Sequence, residues 1–273
     1  ALLSLANYGL RFLRWGSFLA TVGAVIPLRS SFAIFFATYV MVITPGKLGE
    51  VFKAGVLRDR HDVALARGLP IVLAERIYDF LAVLALVAAG MAFWDGPWHG
   101  AEVGLAAGIV FAGLLLGVRS SALRRRLVAR AAATRQLGEH RLAIDDALAA
   151  LSDLLAPRRG ALQLANSTLA WFCECAGMWL VCRALAPQIT LGDAVFVYAA
   201  GTLAGSLSFL PGGLGGTEAV MIALLGTLGV AVAAATVVAF IVRLATLWLA
   251  VLFGLAVFGV FRREILAPRP PSR

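Results

Sequence analysis

The sequence predicts an all-α polytopic membrane protein, a helical bundle with two inverted re-entrant helical hairpins. Three observations predict it. Of 273 residues, 61% are hydrophobic and only 14% charged, against about 45–50% apolar and roughly 25% charged in soluble domains. Several apolar stretches approach the ~20 residues needed to cross a bilayer, and no hydrophilic block is large enough for a soluble catalytic domain. A short Pro-Gly motif also occurs twice, in matching surroundings.

Taken in order, residues 1–24 read as an apolar helix that starts mid-span, so a preceding span is expected upstream. Arg11 and Arg14 beside Trp15 read as its interfacial end, because arginine snorkels and tryptophan favours the headgroup layer. "IPLRSS" (26–31) is a loop with a serine helix cap. Residues 32–43 are apolar but too short to cross, and "TPGKLGE" (44–50) breaks them. A short helix with Lys53 and Arg58 leads to the polar loop "RDRHD" (58–62). Gly68–Met91 is a full span that carries Glu75, Arg76 and Asp79. "FWDGPWHG" (93–100) is a tryptophan-bearing turn and Ala101–Val118 a short span. Residues 119–159 hold nine arginines and four acids, with Leu and Ala at helical spacing, the pattern of an amphipathic segment at the membrane surface. Ala161–Leu185 is a span with Glu174 near its middle, and 186–193 a loop. Residues 194–210 run into "PGGLGG", 213–228 form a short helix, and Ala231–Phe261 is a long final span with Arg243 inside. The basic, proline-rich tail 262–273 is expected to be disordered.

"PGKLGE" from Pro45 and "PGGLGG" from Pro211 share Pro-Gly-x-Leu-Gly at a separation of 166 residues. Each lies between two short apolar helices and precedes a span with an inward arginine: Arg76 is 31 residues after Pro45, and Arg243 is 32 after Pro211. If each broken unit returns to its own side, the three spans between them make the repeat inverted, about 30–91 against 194–261, within one transmembrane domain (1–261). The arginines agree. Arg29, Arg58, Arg60, the 119–159 segment and the tail fall on one side; 94–102 and 186–193, with no Lys or Arg, fall on the other. By the positive-inside rule the first side is cytoplasmic. Breaks in lipid survive only where protein or a wet cavity satisfies the backbone. Paired broken segments in inverted repeats mark transporter sites, and the helix N-termini behind them suit a phosphate.

Ionisable groups inside the bilayer cost at least ~2.5–3.5 kcal/mol each. Glu50, Glu75, Arg76, Asp79, Glu174, Glu218 and Arg243 are of this kind. They read either as ion pairs between spans or as partners of a lipid headgroup. In the second reading Arg76 and Arg243 meet the phosphate, and Glu75, Asp79 and Glu218 pair with them when the site is free. The net charge of +9 is assigned to topology and anionic headgroups, not to nucleic acid. Cys173, Cys175 and Cys182 read as small buried residues of one span. No cofactor or metal is expected.

"YVMVITPGKLGEVFKAGVL", "VLAERIYDFLAVL" and "FLPGGLGGTEAVMIALLGTLGV…FIVRLATLWLAVLFG" resemble the lysylphosphatidylglycerol synthase transmembrane-region family over nearly the whole chain. The resemblance implies movement of a phospholipid or isoprenoid-type lipid across the bacterial inner membrane, without enzymatic activity. It implies functional roles for Pro45, Gly46, Gly49, Glu50, Glu75, Arg76, Pro211, Gly212, Gly213, Gly215, Glu218 and Arg243. The synthase domain of two-domain members has no counterpart in this sequence, so lysyl transfer is not expected of it. Membrane lipids with an anionic or phosphate-bearing headgroup are the expected partners, with a lipid-synthesising enzyme as a further one. The competing classes are a membrane-embedded lipid or sugar-phosphate transferase, which would need a carboxylate base and a metal, and a non-transporting scaffold with its buried charges fully paired and no cavity.

Overall fold

The computed structural model describes residues 1–44, 49–94, 141–208 and 210–266, with scattered positions between 109 and 130. The described residues are helical or in turns, with no strand among them. The expected turn at 93–100, the short span 101–118, residues 119–140 and the tail lie largely or wholly outside them.

Helix α1 (Leu2–Thr21) runs unbroken and buries Ser4, Asn7, Tyr8, Arg14, Trp15 and Phe18. That three-to-four spacing is one helical face. Helix α2 (Leu28–Ala37) tightens into a 3₁₀ segment over Thr38–Ile43, so regular helix ends before the first Pro-Gly motif. Helix α3 (Phe52–His61) closes on Asp62 in the left-handed conformation, φ 56°. Burial and neighbouring Arg60 push the His61 imidazole below its ordinary pKa, so at neutral pH the positive charge of this turn comes from Arg58 and Arg60. Helix α4 (Leu65–Met91) and helix α5 (Arg141–Leu154) pack together. Helix α5 exposes half of its residues and fully buries only Leu154, in keeping with its amphipathic pattern.

Helix α6 (Pro157–Leu185) and the continuous Val232–Leu266 helix are long and apolar enough to cross a membrane. The latter comprises α9 (Val232–Arg243), a π-helical turn (Leu244–Trp248) and α10 (Leu249–Leu266). Between them, α7 (Leu191–Leu207) starts in a reciprocal cap: Thr190 Oγ1 accepts from the Asp193 N–H, and Asp193 accepts from the Thr190 N–H. The second Pro-Gly motif forms a 3₁₀ turn (Pro211–Gly213) before α8 (Gly216–Thr227). Gly212, Gly213 and Gly215 have φ of 61°, 67° and 82°, a region costly for residues with a Cβ. Helices α7 and α8 pack against each other.

Apolar burial forms two cores. One joins α1, α2, α3, the first half of α4, α5 and α10; the other joins the second half of α4 with α6, α7, α8 and α9. Helix α4 belongs to both, with Tyr78 in the first and Ala82 in the second. Asp79 lies between these two, at the seam. The two 3₁₀ segments, Thr38–Ile43 and Pro211–Gly213, also touch one another.

Candidate functional site

At that seam lies a chamber of about 320 Å³. Helix α1 contributes Asn7, Tyr8 and Arg11, and the first 3₁₀ segment Tyr39. Arg76 and Asp79 come from α4, Trp171 and Glu174 from α6, and Tyr198 from α7. The second break supplies Gly212 and Gly213, and the end of α9 supplies Arg243. Helices α1, α4, α6, α7 and α9, the first 3₁₀ segment and the second break thus converge on one polar space in an otherwise apolar bundle.

Asp79 organises one wall. Arg11 Nη2 lies 2.5 Å from its Oδ2, Arg14 Nη1 lies 2.8 Å from its Oδ1, and Arg76 Nη2 lies 3.4 Å from Oδ2. Arg76 Nη2 also reaches Glu50 at 2.7 Å. Arg14 bonds Ser167 of α6 as well, and Arg11 stacks over Trp171 with its guanidinium carbon 5.6 Å from the ring centre. Three guanidiniums therefore share two carboxylates. Among the described residues, the buried Nε atoms of Arg11 and Arg76 and the Tyr39 hydroxyl have no hydrogen-bond partner.

Arg243 organises the wall near the second break. Its Nε donates to Glu218 at 2.5 Å and its Nη2 to the Gly212 carbonyl at 2.6 Å. Glu218 in turn accepts from the Gly215 N–H at 2.7 Å, which caps the start of α8. The delayed acid of "PGGLGGTE" is placed by this geometry: three residues beyond Gly215 it folds back onto the helix entrance.

The sequence-derived residues divide accordingly. Arg76, Asp79, Gly212, Gly213 and Arg243 line the chamber. Glu50 and Glu218 stand behind the arginines they hold. Gly49 donates its N–H to Thr44 Oγ1 and sits so close to Met41 that an added Cβ would lie 2.6 Å from that side chain. Pro211 opens the turn and Gly215 caps α8. Pro45 and Gly46 lie outside the described residues. Glu75 departs from expectation: it binds Lys53 at 3.0 Å rather than Arg76 or Arg243, because i and i+1 residues on a helix point apart. That Lys53 ammonium also packs on Phe35, 4.6 Å from its ring centre. Arg11 and Arg14 turn into the bundle rather than snorkel away from it. Arg14 is buried, 1% exposed, because Asp79 offers a carboxylate inside the bundle and snorkelling to water is unnecessary.

Sequence reading missed Tyr8, Tyr39, Trp171, Tyr198 and Arg11 as lining residues. A signal existed in α1: Ser4, Asn7, Tyr8, Arg11 and Arg14 form a polar stripe at helical spacing, which an apolar span facing lipid would not carry.

The sequence matches the family described as "Lysylphosphatidylglycerol synthase TM region" over residues 1–254. A "UPF0104 membrane protein" of Methanothermobacter thermautotrophicus is 29% identical over 99 residues, which is 36% of this chain and 30% of that protein. No solved structure matches. The match over residues 1–254 covers both Pro-Gly motifs and every charged residue of the chamber, and the chain belongs to the lysylphosphatidylglycerol synthase transmembrane-region family, a family of membrane proteins.

Proposed function

We propose that the chain binds the phosphate of a lipid headgroup in this chamber and moves the lipid between the leaflets of a bacterial inner membrane. One observation carries the reading: around Asp79 three guanidiniums meet two carboxylates, and unpartnered donors of Arg11, Arg76 and Tyr39 remain buried there. A phosphate supplies what is lacking, negative charge and several acceptor oxygens at once. At the other wall, Glu218 holds Arg243 in the free state. An arriving phosphate competes with it for the same guanidinium, while the displaced carboxylate keeps the Gly215 N–H at the start of α8.

In this reading the two Pro-Gly breaks are re-entrant hairpins of an inverted repeat, the first entering from the cytoplasm and the second from outside. Thr44, just before the first motif, and Gly212 of the second line the same chamber, which supports an alternating-access arrangement. The 119–159 segment and the C-terminus lie on the cytoplasmic side. The chamber itself favours a lipid-handling role over a scaffold, which has no use for a polar cavity between apolar cores.

The test is leaflet-resolved transport of fluorescent phosphatidylglycerol in proteoliposomes. Arg76→Ala and Arg243→Ala are expected to slow it at least about tenfold, since hydrogen bonds to charged groups are worth ~1.5–3 kcal/mol. Arg183→Ala, at an exposed position in the last turn of α6, serves as the control. Transport at the wild-type rate in both chamber variants would sink the proposal.

A further inference from the structure

The Val232–Leu266 helix is fixed at two places, one on each side of its π turn. On α10, Gly254 meets the first 3₁₀ segment so closely that an added Cβ would lie 2.8 Å from the Val40 backbone nitrogen. At the end of α9, Arg243 holds Glu218 and the Gly212 carbonyl of the second break. The π turn (Leu244–Trp248) lies between these contacts, and its Leu247 packs against Gly212. A π turn takes in one more residue than an α turn does, and one residue of an α-helix corresponds to about 100° of rotation. Were this turn to rewind as α-helix with Gly254 kept in place, α9 would rotate by about that angle and Arg243 would leave the chamber. The place of the π turn therefore decides where Arg243 points.

A side chain of α1 holds the turn. Tyr8 is buried, and its hydroxyl donates to the Thr246 carbonyl, inside the turn, at 2.8 Å. The Leu249 N–H is divided between the carbonyls of Leu244 and Thr246, so the backbone ladder is out of step here and a donor from outside the helix counts. The Tyr8 ring is itself seated against Tyr39 of the first 3₁₀ segment, centres 5.1 Å apart, and Phe253 of α10, 6.3 Å away. We propose that Tyr8 is a positioning residue: by holding the Thr246 carbonyl it keeps the π turn at Leu244–Trp248 and so keeps Arg243 in the chamber. Its effect on transport rests on the headgroup reading above; its hold on the helix does not. Arg11, three residues on and on the same face of α1, binds Asp79 at the other wall. One face of α1 thus sets both arginine walls of the chamber.

The test substitution is Tyr8→Phe, which keeps the ring and removes one donor. Its structural arm places nitroxides at Val237→Cys and Leu252→Cys, exposed positions on either side of the turn and about 22 Å apart along an ideal helix. Cys173, Cys175 and Cys182 are first replaced by alanine. Double electron–electron resonance is expected to show one distance with Tyr8 and a second, a few ångström away, with Tyr8→Phe. The same single distance in both overturns the proposal. The transport arm uses fluorescent phosphatidylglycerol in proteoliposomes. Tyr8→Phe is expected to slow transport about three- to tenfold, and by the same factor in an Arg76→Ala background. In an Arg243→Ala background the further loss is expected to stay under about twofold, since a group that acts through Arg243 has nothing left to act on. Equal loss in both backgrounds shows the hydroxyl acting on lipid directly and overturns the positioning role. A second distance in Tyr8→Phe, with wild-type transport by Arg76→Ala and Arg243→Ala, overturns the headgroup reading and supports the hold of Tyr8 on the turn.

Discussion

Asp79, Glu75 and Glu218 are three carboxylates with three different tasks. Asp79 gathers guanidiniums from α1 and α4, Glu218 caps a helix while holding Arg243, and Glu75 neutralises Lys53. The Lys53–Glu75 pair is a good place to separate structure from transport, since both side chains are about 2–3% exposed. Removing one partner strands a buried charge, which costs ~3–5 kcal/mol. Lys53→Met is therefore expected to lower the melting temperature in detergent sharply, and Lys53→Met with Glu75→Leu to recover most of the loss. A double variant no more stable than the single one would show that Glu75 does not depend on Lys53. These roles were only partly legible in the sequence. Helical spacing put Arg76 and Asp79 within reach of each other, and both lie at the chamber. The same spacing could not say which side of α4 faces α3, so Lys53 went unassigned to Glu75. The partners of Arg11 and Arg14 were hidden for a related reason: a snorkelling arginine and one aimed at a distant carboxylate look alike until the partner helix is in place.

Helix ends and breaks were more legible than side-chain partners. The helices expected at 68–91, 161–185 and 231–261 fall on α4, α6 and the Val232–Leu266 helix, with edges shifted by a few residues, and the last two are long and apolar enough to cross a membrane. Length and apolarity suffice for that. The 3₁₀ stretch at Thr38–Ile43 and the π turn at Leu244–Trp248 left no trace in the pattern, because both arise from how the helices pack rather than from composition. Close helix crossings are hidden in the same way. At Gly90 an added Cβ would lie 2.6 Å from the backbone nitrogen of Phe196 in α7, and backbone cannot step aside. Gly90→Val is expected to destabilise the α4–α7 crossing by ~1–3 kcal/mol, the usual range for overpacking. Thermal unfolding in detergent measures it; an unchanged melting temperature would mean the helices separate freely there.

For the molecule as a whole, charge asymmetry gives the prediction that contacts cannot. If the arginine-rich segment is cytoplasmic, a single cysteine at Ser152, on α5, reacts with impermeant maleimide only in inside-out vesicles. One at Gln188, in the loop before α7, reacts only in right-side-out vesicles. The native Cys173, Cys175 and Cys182 are first replaced by serine or alanine. Labelling of both sites from one side would overturn the proposed topology.

The ion cluster on Asp79 also bears on how such a chain comes to be made. Arg11 and Arg14 sit in the middle of α1, and each costs ~2.5–3.5 kcal/mol at the bilayer centre when alone. Their shared carboxylate appears 65 residues after Arg14, and the Ser167 hydroxyl that also meets Arg14 comes 153 residues after it. On the proposed membrane placement, α1 finds its low-energy position only when α4 supplies Asp79, and that position is complete only once α6 has followed. Biogenesis of this bundle is therefore a collective step, with the charges that later serve the chamber acting first as the timing signal that holds three distant helices together.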